Sequence, residues 1–230
     1  TVQPETTATL AEILTSDKKN IVVVLQEDVD LPESVSKKMG GADTETIIID
    51  LNGHKLNVTT TYSSVVGAVN PNATITIKNG SMTSSRATGT WDLYDLDFVS
   101  EIVVENVTFE KSIALEKNAT LKNVTINETH DYYAMWITAK GQTVTIDGLT
   151  INSAGRGIKI DEQYEGTPAK VTLNVSNATF KTVKKAAIMV KSVAGADITL
   201  DNVNIANTVD PVNAVWNDAD AVASFVKVTV

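Results

Sequence analysis

An eight-residue pattern recurs along this chain at irregular intervals. Its copies are ITIKNGSM at 75–82, IVVENVTF at 102–109, ATLKNVTI at 119–126, VTIDGLTI at 144–151 and ITLDNVNI at 198–205. In one copy the apolar residues are spaced by two, three and two positions, at Val144, Ile146, Leu149 and Ile151. A period of two places side chains on one face of a strand, and one extra residue returns the second half to the same face. Each copy therefore predicts two short strands joined at a bend.

The bend position carries residues that adopt a positive φ at low cost. These residues are Gly53, Asn79, Asn106, Asn123, Gly148, Asn177 and Asn202. Several of the asparagines begin Asn-x-Thr triplets, which match the acceptor pattern for N-glycosylation. We interpret the triplets as architecture, because stacked asparagines such as Asn106 and Asn123 can hydrogen-bond to each other as an amide ladder.

A further strand pattern lies between the copies. It occurs in SIALE at 112–116, AMWIT at 134–138, GIKID at 157–161 and AAIMV at 186–190. Each repeat thus supplies three short strands, and stacked repeats predict three parallel sheets around one core. The expected fold class is all-β, a single-stranded parallel β-helix of about seven rungs. A parallel sheet with helical crossovers is disfavoured, because no sustained helical period separates the strands.

The chain is expected to form one domain over 1–230, with a capping helix in 1–20 and β-helix rungs in 21–230. Thr9 and Glu12 have the spacing of a capping box at the start of that helix. A helix placed here would cover the first rung, whose strand edge and core otherwise face solvent.

Composition limits the classes of partner. The 230 residues have a formal net charge of −9 and include only two arginines, which argues against nucleic acid as a partner. The absence of cysteine excludes disulfides and thiolate metal sites. No apolar run is long enough for a transmembrane helix, so any membrane attachment would use a lipid anchor outside this chain. We expect a monomer without a cofactor.

The segments TLAEILTSDKKN, IVVVLQEDVDL, IDLNGHKL and ATITIKNGSM resemble the opening of right-handed parallel β-helix proteins of the pectin-lyase-like superfamily. The likeness is greatest to uncharacterised secreted or lipid-anchored surface proteins of gut anaerobic bacteria. The resemblance implies a right-handed helix and a location outside the cell or on the bacterial surface, with outer-membrane anchoring. It does not choose a function, since the superfamily contains lyases, hydrolases and adhesins.

A row of outward side chains is the leading candidate for a binding site. If the isoleucines of AMWIT and GIKID point inward, Trp136 and Lys159 point outward on successive rungs, and Trp216 can continue the row. Aromatic faces are good platforms for sugar rings. The predicted ligand-binding residues are Tyr132, Tyr133, Trp136, Arg156, Lys159 and Trp216. The alternative is that a loop covers this face and buries the tryptophans.

The favoured function is therefore a non-enzymatic module that binds a polysaccharide or a surface glycan, or serves in adhesion. One alternative is a polysaccharide lyase or glycoside hydrolase acting through Arg156, Lys159 and Asp161, since such chemistry needs converging charges on an outer face. Another is a structural spacer of a larger surface protein. Asp95 and Asp97 can share one strand face as calcium ligands, but they lack a ligand loop, and we assign no metal site and no catalytic residue.

Overall fold

The computed structural model describes residues 9–61, 64–86, 95–127, 132–152, 154–162, 166–205, 210–213 and 226–229. These residues form a parallel β-solenoid of about six turns. The seven predicted bends delimit six intervals, in agreement with this number of turns. The all-β fold class is confirmed.

The chain contains two short helices and eighteen strands within the described residues. In chain order they are α1 (Leu10–Leu14), β1 (Asn20–Val24), β2 (Val29–Pro32), α2 (Glu33–Ser36), β3 (Thr46–Asp50), β4 (Lys55–Thr59), β5 (Val65–Val66), β6 (Thr74–Ser84), β7 (Leu96–Phe98), β8 (Glu101–Phe109), β9 (Ile113–Leu115), β10 (Ala119–Ile126), β11 (Tyr133–Thr138), β12 (Thr143–Ile151), β13 (Ala154–Asp161), β14 (Val171–Phe180), β15 (Val183–Val190), β16 (Ala196–Ile205), β17 (Asp210–Asn213) and β18 (Val226–Thr229).

Hydrogen bonding joins the strands into two parallel sheets. The main sheet has the order β1-β3-β6-β8-β10-β12-β14-β16-β18. It also includes β2 and β4, since β2 pairs with β4 and β4 pairs with β6. The second sheet has the order β5-β7-β9-β11-β13-β15-β17. The two predicted halves of each repeat are continuous from β6 onward, so two sheets replace the three that were expected. The reason is the bend residue, which turns the strand while pairing resumes on its far side: β10 and β12 pair at Lys122 with Asp147 and again at Val124 with Leu149.

All seven bend residues have a positive φ, from 52° to 83°. Their side chains form the predicted amide ladder, in which each Nδ2 donates to the oxygen of the turn before. The bonds run from Asn79 to Asp50 (3.2 Å), Asn106 to Asn79 (3.2 Å), Asn123 to Asn106 (2.8 Å), Asn177 to Asp147 (2.9 Å) and Asn202 to Asn177 (2.7 Å). Gly148 has no side chain to continue the ladder, and a Cβ at this position would lie 3.2 Å from the backbone of Asn123. The ladder resumes at the preceding residue, Asp147, whose Oδ1 accepts the hydrogen bond from Asn177.

One continuous apolar core runs through the turns. Within the repeat at β12, Val144, Ile146, Leu149 and Ile151 are all buried while their neighbours are more exposed, as the two-three-two spacing predicts. The same inward phase is kept from turn to turn because the registers pair these positions directly, for example Val144 with Leu173 of β14.

The capping helix begins as predicted and is short. The Thr9 backbone N–H donates to Glu12 (3.0 Å), and the Glu12 N–H donates to the Thr9 hydroxyl (3.2 Å). Leu14 is fully buried against the core, and the helix ends there, so that β1 already begins at Asn20. The second helix, α2, was not predicted because its four residues are too few for a helical period.

Replacement of Asn106 tests the bend and the ladder separately. Asn106→Ala removes two ladder bonds and places an ordinary side chain at φ 55°, so we expect a loss of about 2 kcal/mol in the free energy of unfolding. Asn106→Gly keeps the backbone conformation accessible, and the expected loss is about 1 kcal/mol. Urea denaturation monitored by circular dichroism measures both values.

Asn204→Ala is the matched control, since Asn204 is an exposed strand asparagine outside the ladder, and a change within about 0.5 kcal/mol is expected. If the alanine and glycine variants of Asn106 lose the same free energy of unfolding, the positive φ does not contribute to the loss of stability.

Candidate functional site

The second sheet carries four of the six predicted binding residues, Tyr133 and Trp136 on β11 and Arg156 and Lys159 on β13. Trp136 and Lys159 lie in one outward row. The register pairs Trp136 with Lys159, and Lys159 with Met189, as the sequence predicts. On one side the row continues through Ala114 to Asp97. On the other side the position next to Met189 is Asn213, and Trp216 lies outside the described residues.

Two aromatic rings and one ammonium group form the centre of this site. The ring centroids of Tyr133 and Trp136 are 6.0 Å apart with an interplanar angle of 59°. The Lys159 Nζ lies 5.1 Å from the Tyr133 centroid and 5.5 Å from the Trp136 centroid. Both distances are within the range of a cation–π interaction. We call Tyr133, Trp136 and Lys159 the aromatic–lysine cluster.

Charged groups surround the aromatic–lysine cluster. The Asp161 carboxylate lies 3.1 Å from the Lys159 Nζ and 3.9 Å from the Lys191 Nζ. The Arg156 Nε donates to the Met189 sulfur at 3.0 Å. Burial lowers the pKa of Lys159, and the neighbouring Asp161 carboxylate partly offsets this effect. Burial also lowers the pKa of Arg156.

Tyr132 and Lys191, which we call the rim of the aromatic–lysine cluster, are more exposed to solvent than the cluster itself. Trp136 is 8% exposed and Tyr133 is 1% exposed, whereas Tyr132 is 37% exposed. The Lys159 side chain retains 11% exposure, and that of Lys191 retains 34%. Trp136 is therefore buried although its position in the strand is outward. Solvent therefore reaches Tyr132 and Lys191 more than it reaches the indole of Trp136.

The residues proposed for the enzymatic alternative also meet in this region. Lys159 and Asp161 form an ion pair with each other, and Arg156 bonds to Met189, so these groups already have partners in the chain. Glu162 accepts a hydrogen bond from the Val193 backbone N–H at 2.7 Å. The contacts of Arg156 with Met189 and of Glu162 with Val193 join neighbouring turns, whereas the Lys159–Asp161 pair lies within β13.

The buried carboxyl group of Asp97 continues the same row toward the N-terminal end. Asp97 is 6% exposed, and burial together with the nearby Glu116 carboxyl group raises its pKa to about 8. Asp95 is also buried and accepts a hydrogen bond from the Ser112 hydroxyl at 3.1 Å.

Among the described residues, no three His, Asp or Glu side chains are grouped to hold a metal ion. The alternation in the segment DLDF does place both aspartates on one face, but it does not indicate their burial.

No known protein family, curated protein or solved structure matches this chain. Within the part of the chain that the structure describes, no helix combines the length and apolar character needed to cross a membrane. The strand pairing itself establishes the class of protein, which is a parallel β-solenoid with an aromatic–lysine cluster on its second sheet.

The raised pKa of Asp97 predicts a pH dependence of stability. In the unfolded chain this group ionises near 3.8, whereas the folded protein keeps the proton up to about pH 8. The contribution of Asp97 is therefore fully present below pH 3.8 and is lost as the pH rises to about 8, by at most about 1.4 kcal/mol per pH unit. Asp97→Asn removes this slope, and we expect it to be more stable than the wild type at pH 8.

Urea denaturation at a series of pH values from 4 to 8 measures the effect. Asp201→Asn, at an exposed carboxyl group, controls for the loss of one negative charge. Parallel pH profiles for Asp97→Asn and the wild type would contradict the assigned protonation.

Proposed function

We propose that this chain is a non-enzymatic binding module of a secreted or cell-surface protein, and that it binds carbohydrate at the rim of the aromatic–lysine cluster. The observation that carries the proposal is the placement of Lys159 over two aromatic rings and beside Asp161 on an outward face of a rigid sheet. The packed rings and the ion pair keep Asp161 in place beside Lys191, so a ligand can bind the more exposed Lys191 ammonium group without rearrangement.

The contacts with a sugar would come from the accessible part of this region. Tyr132 offers a partly exposed ring on which the apolar face of a sugar can stack. Lys191 offers ammonium donors, and its Nζ lies 3.9 Å from the buried Asp161 carboxylate. Trp136 and Tyr133 lie behind these groups and support them, so their role differs from the direct contact that the sequence predicts for them.

The proposed location rests on the resemblance to the pectin-lyase-like superfamily. The opening segments resemble secreted or lipid-anchored surface proteins of gut anaerobes, which also implies a right-handed helix. The parallel solenoid supports this proposal at the level of fold, and fold alone is compatible with several functions.

A structural spacer is the second candidate function. Burial of Trp136 and Tyr133 favours it, because both side chains then contribute to packing of the outer face. The continuous core and the amide ladder would serve equally well in a rod that separates other domains.

Binding of the purified chain to immobilised neutral and uronic acid polysaccharides distinguishes these candidates. We expect retention without release of reducing ends or unsaturated products. Tyr132→Ala should weaken retention about 3- to 10-fold, the amount that one aromatic contact contributes. Val22→Ala, which truncates an exposed apolar side chain on β1, is the matched control and should leave retention unchanged.

Two outcomes would contradict the binding module. Product release that is lost in Arg156→Ala would assign the chain to the lyases or hydrolases. Failure of every polysaccharide to retain the folded protein would favour the spacer.

A further inference from the structure

The corners that connect the second sheet to the main sheet differ in length, and the difference creates a notch. Only two residues, Val99 and Ser100, separate β7 from β8, and three residues separate β9 from β10. The preceding corner, 67–73, and the following corner, 139–142, are longer. Two short corners therefore lie between two longer ones, and the wall of the solenoid is recessed there.

The recess is an open notch of about 380 Å³. Its volume is within the range of small-ligand sites, which is roughly 300–1,000 Å³. Asn72 lines one side and Lys140 the other, while Glu101, Glu116, Lys117 and Asn118 form its floor. The notch belongs to a corner of the solenoid and shares none of these residues with the aromatic–lysine cluster.

Contacts across the notch hold its lysines in place. The Lys117 Nζ donates to the carbonyl of Pro71 at 2.6 Å, which connects the floor to one wall. The Lys140 Nζ donates to Glu116 at 3.0 Å, which connects the floor to the other wall. An ammonium group has three N–H donors, so each lysine retains donors for a ligand. Because the side chains are already positioned, binding would cost less side-chain entropy.

The notch also offers polar groups that are not used by the described residues. Within the described ranges, the Glu101 carboxylate makes no hydrogen bond or ion pair, and neither does the side chain of Asn72. Asn118 uses only its oxygen, which accepts from the Thr143 backbone N–H at 2.8 Å. Its amide nitrogen has two donors that face no partner in the described chain.

The charges of the lining cancel, since two lysines oppose two glutamates. A strongly charged ligand would therefore gain little net electrostatic attraction. Hydroxyl groups both donate and accept hydrogen bonds, and they match a lining in which ammonium, amide and carboxylate groups alternate. We propose that the notch is a second binding site, and that its ligand is a neutral sugar residue. The proposal rests on the notch and stands independently of the aromatic–lysine cluster.

Amide chemical-shift titration of the ¹⁵N-labelled chain tests the proposal. The probes are gluco-, manno- and galacto-oligosaccharides of two to four units, with galacturonate oligosaccharides as charged counterparts. We expect at least one neutral series to shift the amides of Lys117, Asn118 and Gly141, and the charged series to bind more weakly. Asn72→Trp fills the notch from an exposed position and should weaken binding at least tenfold, and Glu101→Gln should weaken it severalfold.

Each variant has a matched control in the same chain. Glu27→Trp introduces the same aromatic side chain at an exposed position on another loop, and Glu105→Gln changes a carboxylate on the same strand as Glu101. Both controls should bind like the wild type. Unchanged amide spectra at the bend residues show that each variant is folded.

Three results would overturn the proposal. Shifts confined to Tyr132 and Lys191 would support the proposed function and refute the notch. Equal weakening by Asn72→Trp and Glu27→Trp would show that the notch is not the site. Absence of shifts with every neutral probe would refute the notch whether or not uronic acid polysaccharides bind elsewhere.

Discussion

The positive φ of the bend residues is the constraint on which the rest of this solenoid depends. At each bend one residue turns the strand while the flanking residues keep their pairing with the turns above and below. Asparagine satisfies two requirements there, because it tolerates the left-handed region and its amide both donates and accepts along the stack. A shift of one residue at Asn106 would reverse the faces of the following half-strand and expose Val107 and Phe109. The bends therefore determine which side chains form the core.

Much of the variation in turn length lies at the corners, where pairing is interrupted and insertions are accommodated. Two insertions lie elsewhere: the pairing of β13 with β15 shifts register between Ala154 and Arg156, and four residues (51–54) separate β3 from β4 where β6 has only Asn79 and Gly80. The corner between β7 and β8 has two residues, whereas the one between β13 and β14 spans 162–170. The notch is a direct consequence of this variation. The aromatic–lysine cluster has a different origin, since it arises from outward positions within paired strands.

The sequence was sufficient for features that depend on neighbouring residues. The bends, the inward phase of the repeat, the capping box and the row of Trp136, Lys159 and Met189 all follow from local spacing and from φ preferences. Accessibility was less predictable, because burial of Trp136 depends on packing between residues that are distant in sequence. The raised pKa of Asp97 likewise depends on its burial and on the proximity of Glu116, neither of which a local pattern encodes. The notch could not be predicted without exact corner lengths, which are the least certain part of any strand assignment.

Burial changes the physical role of the aromatic–lysine cluster. An ammonium group that loses water must be compensated, and Lys159 is compensated by the carboxylate of Asp161 and by the faces of two rings. A ligand that removed Lys159 from these partners would have to replace both interactions, so direct capture of this lysine is unfavourable. Groups at the rim carry no such cost, because Tyr132 and Lys191 retain contact with water. Affinity at this site should therefore depend on Tyr132 and Lys191 at the rim, while the buried aromatic–lysine cluster maintains the orientation of these two side chains.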